Sequence, residues 1–266
     1  MQRYLGKKNF PFIKLSSRII SDYQGKLLAS GICDNTIGFY LHNIKALFRK
    51  GCREMGLELP CPFRDISIKT EKTLKRSLDP VVIKTLSAIE LEKDSPLSLA
   101  RDIFMFSFYT RGMSFVDIAL LKKRHVFPGE ICYRRYKTDQ LMRVGINKEI
   151  SRILERYKNV PGEYIFPLFP AERDPYAGYR SAYHRIRYSL GKISRVIGLE
   201  FPLRLHAARH SWATIAKVNG ASVHVIGECL GHTSEKTTRI YLKELDHSAL
   251  DAVNNQVADF ILAVDD

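Results

Sequence analysis

The chain has 266 residues, 45% of them hydrophobic, which is enough for a sizeable core and argues against global disorder. A net charge of +14 and a pI of about 9.6 point to a polyanionic partner, nucleic acid ahead of an acidic membrane surface. Five widely spaced cysteines with no Cys-x-x-Cys pair argue against a structural zinc or a disulfide framework and fit a reducing cytosol; the first residues read as no signal peptide, and no apolar run is long enough to span a bilayer.

From about Leu15 to Gly56 the pattern is helical. Ile37, Tyr40, Leu41, Ile44, Leu47 and Phe48 recur at three- and four-residue spacing after the start signals Asp34, Asn35 and Thr36. Lys45, Arg49, Lys50 and Arg53 crowd the later turns of the same helix, and over residues 1–80 Lys and Arg outnumber Asp and Glu about two to one. Pro60, Pro62 and Pro80 break the periodicity, so 61–80 reads as a linker ending near Leu78. Helices are expected after Asp79-Pro80, over Ser98 to Tyr109, and from Asp117 towards Arg124. Ile131, Tyr133 and Tyr136, then Met142, Val144 and Ile146, alternate as in a β-hairpin with the turn at residues 137–140. Further helical patterns cover 148–157, 179–197, 206–219, 223–230 and 234–245, and the amphipathic stretch 248–263 closes the chain. The fold class is mostly α with a small antiparallel β-sheet (α+β).

The chemistry-bearing residues are few. His206 and Arg209 lie three apart on one helix face, and His210 lies one turn from His206. That histidine pair has the spacing of a zinc protease, but Ala207 stands where the general-base glutamate is needed, so no metal is expected. Arg111 follows an apolar helix, where its charge is costly unless paired, with Asp117 a candidate partner. Lys137, at the hairpin tip, is either solvated or reactive. Arg111, Arg209, Lys137, His206, His232 and Tyr241 together form the set that phosphoryl transfer to a tyrosine requires. Guanidinium groups match two phosphate oxygens in a fork and stabilise the pentacoordinate state without a metal or other cofactor. A histidine handles the tyrosine proton, a lysine protonates the leaving 5′-oxygen, and the tyrosine conserves the energy of the broken bond in a covalent intermediate.

In order along the chain, Arg111, Lys137, His206-x-x-Arg209, Leu230-Gly231-His232 and Tyr241 resemble the boxes of the tyrosine recombinases, also called phage integrases. The resemblance spans nearly the whole chain. It implies a two-domain architecture: residues 1–75 as a short helical (SAM-like) core-binding domain and 76–266 as the catalytic domain, with the helix 248–263 packed on its own domain or docked into a neighbouring subunit. It implies that Tyr241 is the nucleophile, that Lys137 is the general acid, that His206 handles protons beside Arg209, and that His232 hydrogen-bonds the phosphate. His210 is then structural. The implied activity is site-specific cleavage and rejoining of duplex DNA through a 3′-phosphotyrosyl intermediate, leading to integration, excision or inversion of an element. The implied partners are duplex DNA with specific core sites, a homotetramer in synapsis and accessory DNA-bending proteins, at the nucleoid of a bacterial cytoplasm and away from membranes. Lys45, Arg49, Lys50, Arg53, Lys236, Arg239 and Lys243 are the candidate DNA contacts. An additional arm-binding domain is not expected at the N-terminus.

One box departs from the family. Its first box reads Thr-Gly-Leu-Arg-x-x-Asp/Glu, and placing Asp117 on the acid puts Ser114 in the arginine slot. Arg111 lies one helical turn earlier and is assigned the role, with Arg101 in reserve. Two other readings share the same residues: a type IB topoisomerase, acting as a monomer, and a catalytically silent or accessory DNA-binding protein.

Overall fold

The computed structural model describes residues 4, 10–69, 71, 77–169, 175–232 and 234–241, and for 175–177, 236, 240 and 241 the backbone. Lys243 and the expected helix 248–263 lie outside the described residues. The chain divides into two units, Met1–Leu74 and Lys75–Asp266.

In the first unit, α1 (Ser17–Ala29) starts where the Ser16 hydroxyl accepts the Ile19 N–H, and α2 (Asp34–Glu54) follows a short turn. Ile20, Tyr23, Ile37, Leu41, Phe48 and Phe63 form the buried centre. The inner stripe of α2 is 37, 41, 44 and 48. Tyr40 and Leu47 each precede a stripe residue by about 100° of helix rotation and stand outside it, 38% and 69% exposed. Lys45, Arg49 and Arg53 recur every four residues and share a face. Lys50 pairs loosely with Glu54 at 3.7 Å in solvent, a contact of little energetic weight.

In the second unit, Asp79 caps α3 (Pro80–Ala88) through the Val81 N–H at 2.8 Å, with proline at the first helical position. Leu78, read from sequence as the end of a linker, is instead a buried core residue whose N–H donates to Ser211 Oγ at 2.7 Å. Ser95 caps α4 (Pro96–Tyr109), which is apolar around most of its circumference and therefore lies in the middle of the unit. Against it pack α6 (Lys148–Arg156), α7 (Pro175–Val196) and α8 (Leu205–Val218). The short helix α5 is Phe115–Ala119, earlier than the expected start at Asp117, because Ser114 supplies the cap. A 3₁₀ turn at Lys123–His125 then leads into the sheet.

The sheet has three antiparallel strands in the order β1 (Val126–Phe127), β2 (Glu130–Arg134) and β3 (Leu141–Gly145), with Ile131 opposite Val144 and Tyr133 opposite Met142. Those four side chains face the core, and their neighbours face out, the period-two pattern of a half-buried hairpin. Two short helices, α9 (Val223–Leu230) and α10 (Glu235–Tyr241), complete the described chain. Among the described residues no helix is long and apolar enough to cross a membrane.

One buried charge braces α4. The Asp102 carboxylate accepts from Arg101 Nε at 2.6 Å, Arg156 Nη1 at 2.6 Å and the Tyr157 hydroxyl at 2.9 Å. The arginine held in reserve for the first box is thus engaged in this cluster, its other contact being the Ile89 carbonyl at 3.0 Å.

Candidate active site

The loop between α4 and α5 meets α8 at Gly112 and Arg209. Gly112 has φ +75°, and a Cβ there would lie 2.6 Å from Arg209 Cγ and 2.8 Å from its Cα, so only glycine allows this approach. Its carbonyl accepts from Arg209 Nη1 at 2.8 Å. Arg209 is 6% exposed, and such a charge is tolerable only when its donors are engaged. Nη2 donates to the Leu230 carbonyl and, at 3.0 Å, to His232 Nε2.

That last contact fixes the histidine's proton. A guanidinium has donors and no acceptor, so His232 Nε2 presents its lone pair and Nδ1 carries the hydrogen. Nδ1 therefore donates to Thr238 Oγ1 at 3.0 Å, within α10. Burial, then the positive charges of Arg209, Arg135 and Lys137, push the His232 pKa down to about 4. His232 is neutral at physiological pH and links the Arg209 guanidinium to the helix that carries Tyr241.

The β2–β3 turn is held against this group at two points. Asp117, buried, accepts from the Ser114 hydroxyl at 2.6 Å and from the Tyr136 N–H at 2.8 Å. Arg135 Nη1 donates to the Gly231 carbonyl. Gly231 is the left-handed C-cap of α9, and a Cβ on it would lie 3.0 Å from both Arg135 Cδ and Met142 Sδ. Lys137 stands exposed in the same turn, close enough for its charge to act on His232.

A cavity of about 220 Å³ opens here, with Gly112, Ser114, Tyr183, His206 and Arg209 among its walls. His206 is exposed, its ring edge-on to His210 with centroids 4.7 Å apart. Arg209, His232, His206 and Lys137 are thus brought to one place, and the backbone of Tyr241 lies on the helix tied to it by Thr238. Arg111 is the outlier of the predicted set. It adopts a left-handed conformation, φ +60°, and its Nη1 lies 3.4 Å from the Arg143 carbonyl on β3. Asp117, its candidate partner, is occupied by Ser114 and Tyr136. Arg239 pairs with Glu235 at 2.8 Å on the exposed side of α10, and Lys236 is described by its backbone.

Two features escaped the sequence reading. Arg135 is one, not singled out in sequence although it sits two residues before Lys137 in a hairpin that alternates inward and outward. A basic groove of about 440 Å³, lined by His184, Arg187, Tyr188, Lys192, Arg195 and Arg204, runs along α7. Its signal was present as cations recurring three to five residues apart in 187–195.

The sequence profile of the Phage integrase family matches residues 77–247. The chain is 26% identical to the Tyrosine recombinase XerC of Shewanella oneidensis over 226 residues, 81% of this chain and 70% of that protein. Over a shorter span of 104 residues, 37% of this chain and 34% of the other, it is 36% identical to the Tyrosine recombinase XerD of Pseudomonas putida. Among solved structures, the Tn1549 transposon integrase (residues 82–397) in complex with circular intermediate DNA has the same fold, with a TM-score of 0.68 at 16% identity over 94% of this chain and 89% of that one. A lambda integrase (75–356) dimer bound to a COC′ core site gives 0.66 at 16% identity, over 92% and 87% of the two chains.

Proposed function

The chain belongs to the phage integrase family, the tyrosine recombinases, and carries out site-specific DNA recombination; from that premise we propose how its own residues perform the cleavage and rejoining. The Tyr241 oxygen attacks the scissile phosphorus. The Tyr–O–P bond forms, the P–O5′ bond breaks, and Lys137 gives its proton to the departing 5′-oxygen. His206 takes the tyrosine proton. Attack by a 5′-hydroxyl from the partner duplex reverses each transfer and reseals the strand.

Arg209 carries the charge stabilisation. Its donors already converge in a sparsely solvated pocket, where they act on a phosphate more strongly than in water. His232 in the free protein offers Nε2 as an acceptor to Arg209. A bound phosphate anion raises the pKa of the ring, so that Nε2 gains a proton and donates to it. Arg111, the candidate that the sequence offers for the first-box arginine, would have to leave the Arg143 carbonyl to reach the phosphate. The single observation that carries this reading is the Arg209–His232–Thr238 chain of hydrogen bonds leading into the helix of Tyr241.

The duplex is held mainly through its phosphates. Residues 1–75 act as the core-binding domain, with Lys45, Arg49, Lys50 and Arg53 on the backbone. Residues 76–266 act as the catalytic domain, to which the α7 groove adds Arg187, Lys192, Arg195 and Arg204, and the Tyr241 region adds Lys236, Arg239 and Lys243. The working assembly is a homotetramer pairing two core sites in the bacterial cytoplasm, assisted by DNA-bending proteins.

The test is covalent capture. A library of nicked duplexes with a randomised core is incubated with the protein, and DNA bound through denaturation is recovered and sequenced. A 3′-phosphotyrosyl adduct on a consensus site, absent with Tyr241→Phe, is expected. No adduct on any duplex, with duplex binding intact, supports the silent DNA binder instead.

A further inference from the structure

The first box lacks its arginine, and the structure holds a second guanidinium at the site from a different element. Ser114, in the arginine slot, is neutral and engaged with Asp117 at 2.6 Å. Arg111 is turned to the Arg143 carbonyl on β3, an edge strand of the sheet. Arg135, by contrast, is half-buried and reaches the Gly231 carbonyl, one residue before His232.

The last carbonyls of a helix carry partial negative charge and lack intrahelical donors. At the end of α9 two of them, on consecutive residues, are met by two arginines: Leu230 by Arg209 and Gly231 by Arg135. Both arginines act on the His232 ring, as does Lys137 two residues beyond Arg135. The end of α9 thus offers carbonyl oxygens to two guanidinium groups in the free protein.

We infer that Arg135 is a catalytic residue, which leaves the Gly231 carbonyl for a non-bridging oxygen of the scissile phosphate and supplies, with Arg209, the second guanidinium that Ser114 cannot. The inference rests on the recombinase reading above. The backbone at 135 is pinned by the Arg135 N–H to the Gln140 carbonyl at 2.9 Å and the Asp139 N–H to the Arg135 carbonyl at 2.8 Å, so side-chain rotation is the motion required. A planar fork suits the task where a lysine would act as a point charge.

The experiment compares initial rates of adduct formation by the full chain on the captured duplex and on the same duplex with a methylphosphonate at the scissile position. The methylphosphonate removes the charge of one non-bridging oxygen. Arg135→Gln should lower the rate on the phosphate by about 100-fold or more, a greater loss than Arg111→Gln shows, with duplex binding and thermal unfolding kept close to the parent protein. Arg135→Lys should recover part of the rate. On the methylphosphonate the deficit of Arg135→Gln should shrink to below about tenfold, because less charge then needs to be met. A rate within about threefold of the parent for Arg135→Gln, or an equal loss on both substrates, overturns the inference and leaves Arg135 as a cap on Gly231. If the unaltered protein forms no adduct at all, the recombinase reading falls and this inference with it, a result distinct from a defect confined to the variant.

Discussion

Asp117 and Tyr136 are joined across 19 residues of chain by a carboxylate oxygen that accepts a backbone N–H at 2.8 Å. Through this bond the start of α5 fixes the turn that carries Arg135 and Lys137. The other carboxylate oxygen is held by Ser114, so the acid is oriented before it orients the turn. Asp117→Ala should slow adduct formation by about 10- to 100-fold, the usual cost of losing a group that aims a catalytic one, with a much smaller effect on duplex affinity. Asp117→Asn, which keeps an acceptor for Tyr136, should fall between. Equal losses of affinity and rate in the alanine variant would show that Asp117 serves the fold rather than the turn.

Gly112→Ala is the severest small change at the site. It combines a left-handed φ with a Cβ placed 2.6 Å from Arg209 Cγ. The conformational cost of about 1–2 kcal/mol and an overpacking cost of about 1–3 kcal/mol act together. A drop of about 2–5 kcal/mol in urea unfolding is expected, accompanied by loss of adduct as Arg209 is displaced. An unchanged urea midpoint would contradict the close approach.

His232 makes stability depend on acid pH. Its pKa lies near 4 in the folded chain, below the ordinary value of 6.5 that it regains on unfolding. Between those values the unfolded chain binds more protons, so stability present above about pH 6.5 is lost progressively as the pH falls towards 4. His125, also pushed down by burial and by Arg124 and Lys122, acts in the same sense. The check is therefore a difference: thermal midpoints at pH 7.5 and 4.5 should lie closer together in His232→Gln than in the parent. Equal gaps in the two proteins would remove His232 from the acid response.

Asp102 braces the core away from the chemistry. Asp102→Ala leaves Arg101 and the Tyr157 hydroxyl without their buried acceptor, and a loss of about 3–5 kcal/mol in chemical unfolding is expected. With α4 loosened, activity should fall only as far as the folded fraction does. Adduct formed per folded molecule, measured well below the melting temperature, separates this from a defect in catalysis.

Much of this was legible in the sequence because two signals agreed. Helical periodicity located α2, α4, α6 and α8, and period-two alternation located Ile131, Tyr133, Met142 and Val144 on one face of the hairpin. The ordered boxes Arg111, Lys137, His206-x-x-Arg209, Leu230-Gly231-His232 and Tyr241 carry the resemblance to the family, and the resemblance implies the outline of the site. What periodicity does not carry is the identity of a partner far along the chain. In sequence Arg111 takes the first-box role and Arg101 stands in reserve, yet Arg101 meets Asp102 and Arg111 a strand carbonyl. Leu78 looked like linker because its prolines and charges are local signals, whereas its burial comes from α8. Arg135 was missed for the same reason: its significance lies in the Gly231 carbonyl, 96 residues away.

The partners of Arg209 also set an order on the life of the chain. Gly112 precedes it by 97 residues, and Leu230 and His232 follow it by 21 and 23. Contacts of such sequence separation form late in folding, after local helices and turns. On the ribosome the guanidinium cannot be seated until residue 232 has emerged. Under the mechanism proposed above, a product ending before α9 retains DNA-attracting charge without a seated Arg209 to cut with.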